Sequence, residues 1–269
     1  MKTVATEAKP VAKRKHRQSD GERSFLFVLF WQVALLAAIL IAWEIAIKAG
    51  WLRIYVYGTP SGILKAFGVQ LADGSLIRHF WVTAEESLLG FLIGSVFGSI
   101  FGLLLWLSDL AGRILRPYMI ALNGVPKIAL APLIIVWFGL GMQSKVAIAA
   151  IITFIVAFIT AYNGTKQIDN DYIKMMRSLG ARPLQIFRIV VVPGSLAWIV
   201  AAFRLNVGFA LIGAVVGEYI SAEEGLGQMI YYSGQMYDLN SVWVGIFSLM
   251  IMALMFEAVV RWFEVRTQW

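Results

Sequence analysis

Two kinds of residue in this sequence could do chemistry, and both stand out against apolar surroundings. The first are single charges inside hydrophobic runs: Arg204, about ten residues into one run, and Glu257, the acid nearest to it in level in the last run. A charge at the centre of a bilayer costs about 2.5–3.5 kcal/mol on insertion scales, so each should face an interior and find a partner. An Arg204–Glu257 pair is one arrangement that would do this. Contact of Arg204 with an anionic ligand, or with backbone carbonyls, is the other reading. The second is a basic amphipathic stretch, Asp171 to Pro193, in which Ile173, Met176 and Leu179 are set among Lys174, Arg177, Ser178, Ala181 and Arg182. With a turn at Gly180 between two short helices, it offers an apolar ridge beside two cations. That is a surface for docking, on a partner or on lipid headgroups, and not for bond making.

The machinery of catalysis is missing from the chain. No G-x-x-x-x-G-K-[ST] phosphate loop occurs, and Gly225-Leu-Gly227 lacks the third glycine and the preceding strand of a dinucleotide site. Neither H-E-x-x-H nor G-x-S-x-G is found, there is no Cys, and His16 and His79 are far apart in sequence. The expectation is a protein with no catalytic residue, no metal and no cofactor of its own.

The elements that carry these residues are membrane helices. Of 269 residues, 59% are hydrophobic and 14% charged, and the mean hydropathy is +0.75, well beyond an ordinary soluble domain. Apolar runs of roughly 20 residues can cross the hydrocarbon core as helices, which satisfy their own backbone hydrogen bonds. The reading is all-α: a polytopic bundle of about six spans, near 25–48, 81–107, 117–140, 144–163, 194–217 and 240–262. Residues 1–23 form a basic tail, and residues 24–269 a single membrane domain with a polar insert at about 164–193. Gly90, Gly94, Gly98 and Gly102 repeat every fourth residue in the second span, which smooths one helix face for close helix packing. Glu85 and Glu86 lie at the outer end of that span. Pro117 falls in the first turn of the third span, whereas Pro126 and Pro132 lie within it, where they should bend a helix that lines a pathway.

Charge fixes the expected topology. Six spans place both termini and the insert on one side, and that side carries sixteen Lys and Arg against five on the other. Both termini are therefore expected in the cytoplasm. The net charge of +7 follows from this bias and needs no nucleic acid to explain it. An ion-coupled secondary transporter is the rival class by composition. It would need more titratable groups at the midplane, and commonly paired repeats, than this chain offers.

The insert resembles the cytoplasmic loop of permeases from binding-protein-dependent ABC importers. Arg177-Ser-Leu-Gly-Ala181 matches the family's R-T-L-G-A, and Val190-Val-Val-Pro193 follows Gly180 at the family's spacing, while Lys174-Met-Met176 departs from its Glu-Ala-Ala. Pro126-Lys-Ile-Ala-Leu-Ala-Pro-Leu133, Trp137-Phe-Gly-Leu-Gly141, Glu218 and the Gly225-Leu-Gly227 turn resemble the nitrate, taurine and alkanesulfonate branch, which includes bicarbonate importers. The resemblance implies a type I importer permease in a bacterial inner membrane. It further implies a second copy of the chain, ATPase subunits that bind ATP and magnesium, and an outer solute-binding protein. Residues 173 and 176–182 would then couple to the ATPase. Net positive charge and Arg204 tilt the expected solute toward a small anion such as a sulfonate, nitrate or an organic acid.

Overall fold

The computed structural model describes residues 18–221 and 223–267. Lys2, Lys9, Lys13, Arg14, Lys15 and Arg17 of the basic tail lie outside them. The chain divides into two compact units, one ending at Ile54 and one beginning at Tyr55. The first holds helix α1, Gln18–Lys48, which takes in the last residues of the expected tail. Glu44 pairs with Lys48 at 3.1 Å in its last turn.

From Ile54 on, short α2, Ile54–Tyr57, and α3, Pro60–Ala72, precede α4, Ser75–Leu104. Then come α5, Asp109–Gly124, and α6, Ala131–Phe138, followed by α7, Met142–Lys166. The insert supplies α8, Asn170–Ser178, and α9, Pro183–Ile186, and the chain continues into α10, Val192–Ser221. Helices α11, Leu226–Gln235, and α12, Leu239–Thr267, end it. Among the described residues, five helical segments are long and apolar enough to span a membrane, or six if the bent α5–α6 pair counts as one.

That pair differs from the continuous, kinked third span expected from the sequence. Helix α5 and the segment Lys127–Phe138 meet at 94°. The chain leaves the helix at Val125 in an extended conformation, and Pro126, also extended, opens a short 3-10 turn. Pro132 sits in the first turn of α6, where a missing N–H costs little. Pro117, expected in a first turn, instead lies inside α5, because the helix starts eight residues earlier at Asp109, where the Ser108 side chain caps it, accepting from the Ala111 N–H at 3.3 Å.

The fifth span is also longer than expected. It does not begin after Pro193, because Pro183 to Ser221 forms one apolar helical run. A π turn at Phe187–Val191 precedes Val192-Pro193. Widening the helix there removes the clash between a proline ring and the carbonyl one turn back, so the proline is absorbed without a break.

At the core, α7 packs along both α4 and α10. Each glycine of the α4 strip faces α7. A methyl group would strike the Ala149 side chain from Gly90, the Thr153 hydroxyl and Ala150 carbonyl from Gly94, and the Phe154 and Phe158 carbonyls from Gly98 and Gly102. From the other side, Gly213 of α10 rests on the Ala149 backbone. Where the three helices meet, the fully buried Asn206 donates to Ser95 Oγ and to the Thr153 carbonyl, each at 2.9 Å.

Close backbone approach predicts asymmetric tolerance. Gly94→Ala should destabilise the detergent-purified protein by about 1–3 kcal/mol through overpacking. Gly68→Ala on α3, where the added methyl meets nothing within 4 Å, should be neutral or slightly stabilising. Thermal unfolding of the two variants side by side checks this.

Candidate functional site

The insert is built by local capping. Asp169 opens α8, its carboxylate accepting from the Asp171 N–H at 2.9 Å. Ala181 N–H donates to the Met176 carbonyl at 3.0 Å and Gly180 N–H to the Arg177 carbonyl at 2.9 Å. This pair of bonds closes the helix with Gly180 at φ 80°, a conformation that penalises any side chain with a Cβ. The space around it is open, so backbone conformation alone demands glycine. The Arg182 N–H then donates to Gln185 Oε1 at 2.7 Å, and Pro183 begins α9.

One face of α8 is taken by the chain itself. Ile173 is 8% exposed and packs with the buried Ile186 and Val191, with Met176, Ala181 and Phe187 closing around them. Trp106, beyond the end of α4, stacks on Phe187 at 6.1 Å between centroids. Ile173 and Met176, expected on the docking ridge, therefore anchor the insert to its own protein. The ridge left open is Tyr172, Met175 and Leu179, the last 75% exposed, with Arg177, Ser178 and Arg182 also exposed. Both stripes obey helical spacing, and only the position of Ile186 and Val191 decides between them. In the divergent Lys174-Met-Met176 triplet, Met175 and Lys174 are exposed, the latter pairing with Asp171 at 3.0 Å, and Met176 turns inward. Arg177 and Lys174 line a cavity of about 460 Å³ with Asp109 and Lys166.

The charges inside the spans are arranged differently from expectation. Arg204 is half exposed and pairs with Glu264, not with Glu257. Glu257 is exposed and lies two helical turns short of that level, because α12 and α10 are offset along their lengths. Neither is a buried charge in the chain. Pro126 and Pro132 are exposed as well.

The buried charges lie at the opposite end of the bundle, where the sequence reading had placed only rim residues. Glu86 of α4 and Glu218 of α10 are each 1% exposed. Glu218 accepts from the Thr83 hydroxyl at 2.6 Å and the Gly227 N–H at 2.5 Å. Thr83 Oγ1 accepts in turn from the Leu226 N–H at 2.7 Å, and His79 Nδ1 from the Gly225 N–H at 3.0 Å. These bonds satisfy the first amides of α11 and tie it to α4. Glu86 pairs with the buried Lys145 of α7 at 3.8 Å. A signal was present in the sequence: acids and a lysine near the ends of apolar runs, together with a Glu218 followed by Gly225 and Gly227.

Residues 94–269 match the family described as binding-protein-dependent transport system inner membrane component. The chain belongs to that family. It is 33% identical over 208 residues, 77% of this chain and 79% of the relative, to an aliphatic sulfonates transport permease protein, SsuC, of Escherichia coli (strain K12). It is also 33% identical over 223 residues, 81% of this chain and 82% of the relative, to the riboflavin transport system permease protein RibX of Chloroflexus aurantiacus. In fold it is similar to a chain from the crystal structure of a bacterial ABC transporter involved in the import of the acidic polysaccharide alginate. That match has a TM-score of 0.62 at 16% identity and covers 93% of this chain and 99% of the other. This permease is thus a multi-pass component of an ABC importer, and in its family ATP hydrolysis belongs to a separate subunit.

The Glu218 network makes a prediction for the permease. Glu218→Ala leaves the buried Gly227 N–H without its acceptor and the Thr83 hydroxyl with only the His79 carbonyl at 3.2 Å, at about 1–3 kcal/mol for the buried group left unpaired. The thermal midpoint of the purified protein should fall, and the link between α10 and α11 should become sensitive to limited proteolysis.

Proposed function

We propose that this permease forms the membrane pathway of an ATP-driven importer as a homodimer, and that the Tyr172, Met175 and Leu179 face of α8 docks on the ATPase. The observation that carries this reading is a helix fixed on one side by Ile173 and apolar on its free side. Arg177, Ser178, Gly180 and Arg182 complete the docking surface, while Ala181 packs inward with Ile173. Two arginines beside an apolar ridge suit an acidic-rimmed groove.

In this reading the insert, both termini and the tail of residues 1–23 lie in the cytoplasm of a bacterial cell, and residues 24–269 form one membrane domain. ATP binding draws the two ATPase subunits together and moves the paired α8 helices with them. Because α8 is bolted to the start of the long helix ending at Ser221, that motion tilts the α4, α7 and α10 core as a body. An outer binding protein delivers the solute, and hydrolysis resets the pathway.

The solute is a small organic molecule. The names of relatives at 33% identity support an aliphatic sulfonate as the first to test, while a vitamin-like solute is the alternative that another relative supports. Arg204 no longer argues for an anion, since Glu264 answers its charge.

Leu179→Asp should lower co-purification of the ATPase subunit about tenfold or more, as expected for a charge placed at the centre of an apolar contact. Gly180→Val should abolish solute-stimulated uptake while the subunit still reaches the membrane, since a β-branched residue is strained at positive φ. Uptake into right-side-out vesicles loaded with ATP should fail without the ATP and survive collapse of the proton gradient. The opposite dependence would indicate ion-coupled transport.

A further inference from the structure

Helices α4 and α7 run in the same direction: Gly90 meets Ala149 and, further along both, Gly102 meets Ala161. The chain that links them must therefore travel back along the height of the bundle. The bent α5–α6 pair is thus a broken crossing and not a re-entrant loop. Met119 of α5 packs with Tyr162 toward one end of α7, and Ala131 and Ile135 of α6 pack with Ile148 and Ile152 toward the other. The break at Val125-Pro126 falls between these anchorages, beside the middle of the bundle.

Two features of that stretch are left unanswered by the chain. Pro126 has no N–H to give the Leu122 carbonyl four residues back, and Leu122, Asn123, Gly124 and Val125 are exposed. Irregular backbone at membrane depth is tolerated only inside protein or against water, not against lipid. Lys127, next after the break, is half-buried. Arg204 is answered by Glu264 and Lys145 by Glu86, whereas among the described residues no carboxylate pairs with Lys127. An ammonium at this depth is costly without a counter-charge.

We infer that the α5–α6 break lines the translocation pathway, and that the Lys127 ammonium contacts the anionic group of the passing solute, a sulfonate on a short alkyl chain. The inference rests on the importer reading above and on the aliphatic sulfonate put first there. An ammonium donates charge-assisted hydrogen bonds to sulfonate oxygens, and Leu122, Val125 and Ile128, all exposed, offer apolar surface to the alkyl chain. A single flexible cation also suits transit, since a pathway must attract its solute without retaining it.

The test uses the assembled transporter with its ATPase subunits and binding protein in nanodiscs. The chain has no Cys, so Asn123→Cys supplies the permease with one thiol beside the break. Its modification is followed by the mass of the permease with two methanethiosulfonates, sulfonatoethyl and trimethylammonioethyl, each rate taken relative to a free thiol. Both should react, at rates that change when ATP and vanadate hold the ATPase dimer closed, and the sulfonate should be favoured. Lys127→Gln in the same background should lower the sulfonate-to-ammonium rate ratio about tenfold, and Lys127→Arg should keep it. Val125→Cys takes the place of Asn123→Cys if the latter fails to assemble. Uptake of butanesulfonate into proteoliposomes, read in parallel, should fall about tenfold in Lys127→Gln and recover in Lys127→Arg. If the wild type imports no butanesulfonate, or imports it without ATP, the solute or the importer reading fails, and the rate ratio still decides whether Lys127 serves an anion. A thiol inert to both reagents, or a ratio unmoved by Lys127→Gln, overturns the proposal. So do rates indifferent to ATP and vanadate in a transporter whose uptake needs ATP.

Discussion

Backbone-to-backbone contact between α4 and α7 is the constraint on which the rest of this permease depends. Lipid offers no hydrophobic drive for one apolar helix to leave it for another, so association must come from packing and polar contact. Four glycines in register let the α7 carbonyls and small side chains reach the α4 backbone. The buried Asn206 then pins α10 to the same seam through Ser95 and the Thr153 carbonyl. Three helices so joined have little freedom to shear.

Two distinct features stand at the two ends of this core. At one end, α8 is both a ligand of its own chain, through Ile173, and a free surface, through Leu179. A force applied to the free face passes through Ile186 and Val191 into the long helix that ends at Ser221. At that far end stands Glu218, whose carboxylate holds the first turn of α11. The helical run from Pro183 to Ser221 therefore joins the anchorage of α8 to Glu218.

The distribution of charge follows the same division. Near the insert, ion pairs are half exposed and adjustable: Lys174 with Asp171, Lys166 with Asp109, Arg204 with Glu264. Such pairs contribute little to stability. At the far end, Glu86, Lys145 and Glu218 are buried, and breaking one partnership there leaves a charge or a donor stranded. The first set constrains the packing little, and the second specifies one arrangement of α4, α7 and α10.

Much of this was legible in the chain. Hydropathy determined that it is an all-helical membrane bundle, because only a helix or a closed barrel satisfies its backbone in lipid. The insert could be located by its polarity, and Gly180 by the turn it makes. The spacing of Gly90, Gly94, Gly98 and Gly102 marked a face made for close packing. What the sequence could not decide was which of two side-chain stripes on α8 turns inward, that Arg204 meets Glu264 and not Glu257, that the chain bends by 94° after Gly124, or that Glu86, Lys145 and Glu218 converge. Periodicity and composition are properties of one segment. Burial and partner choice depend on the axial offset between segments distant in sequence, and that offset exists only once the helices have packed.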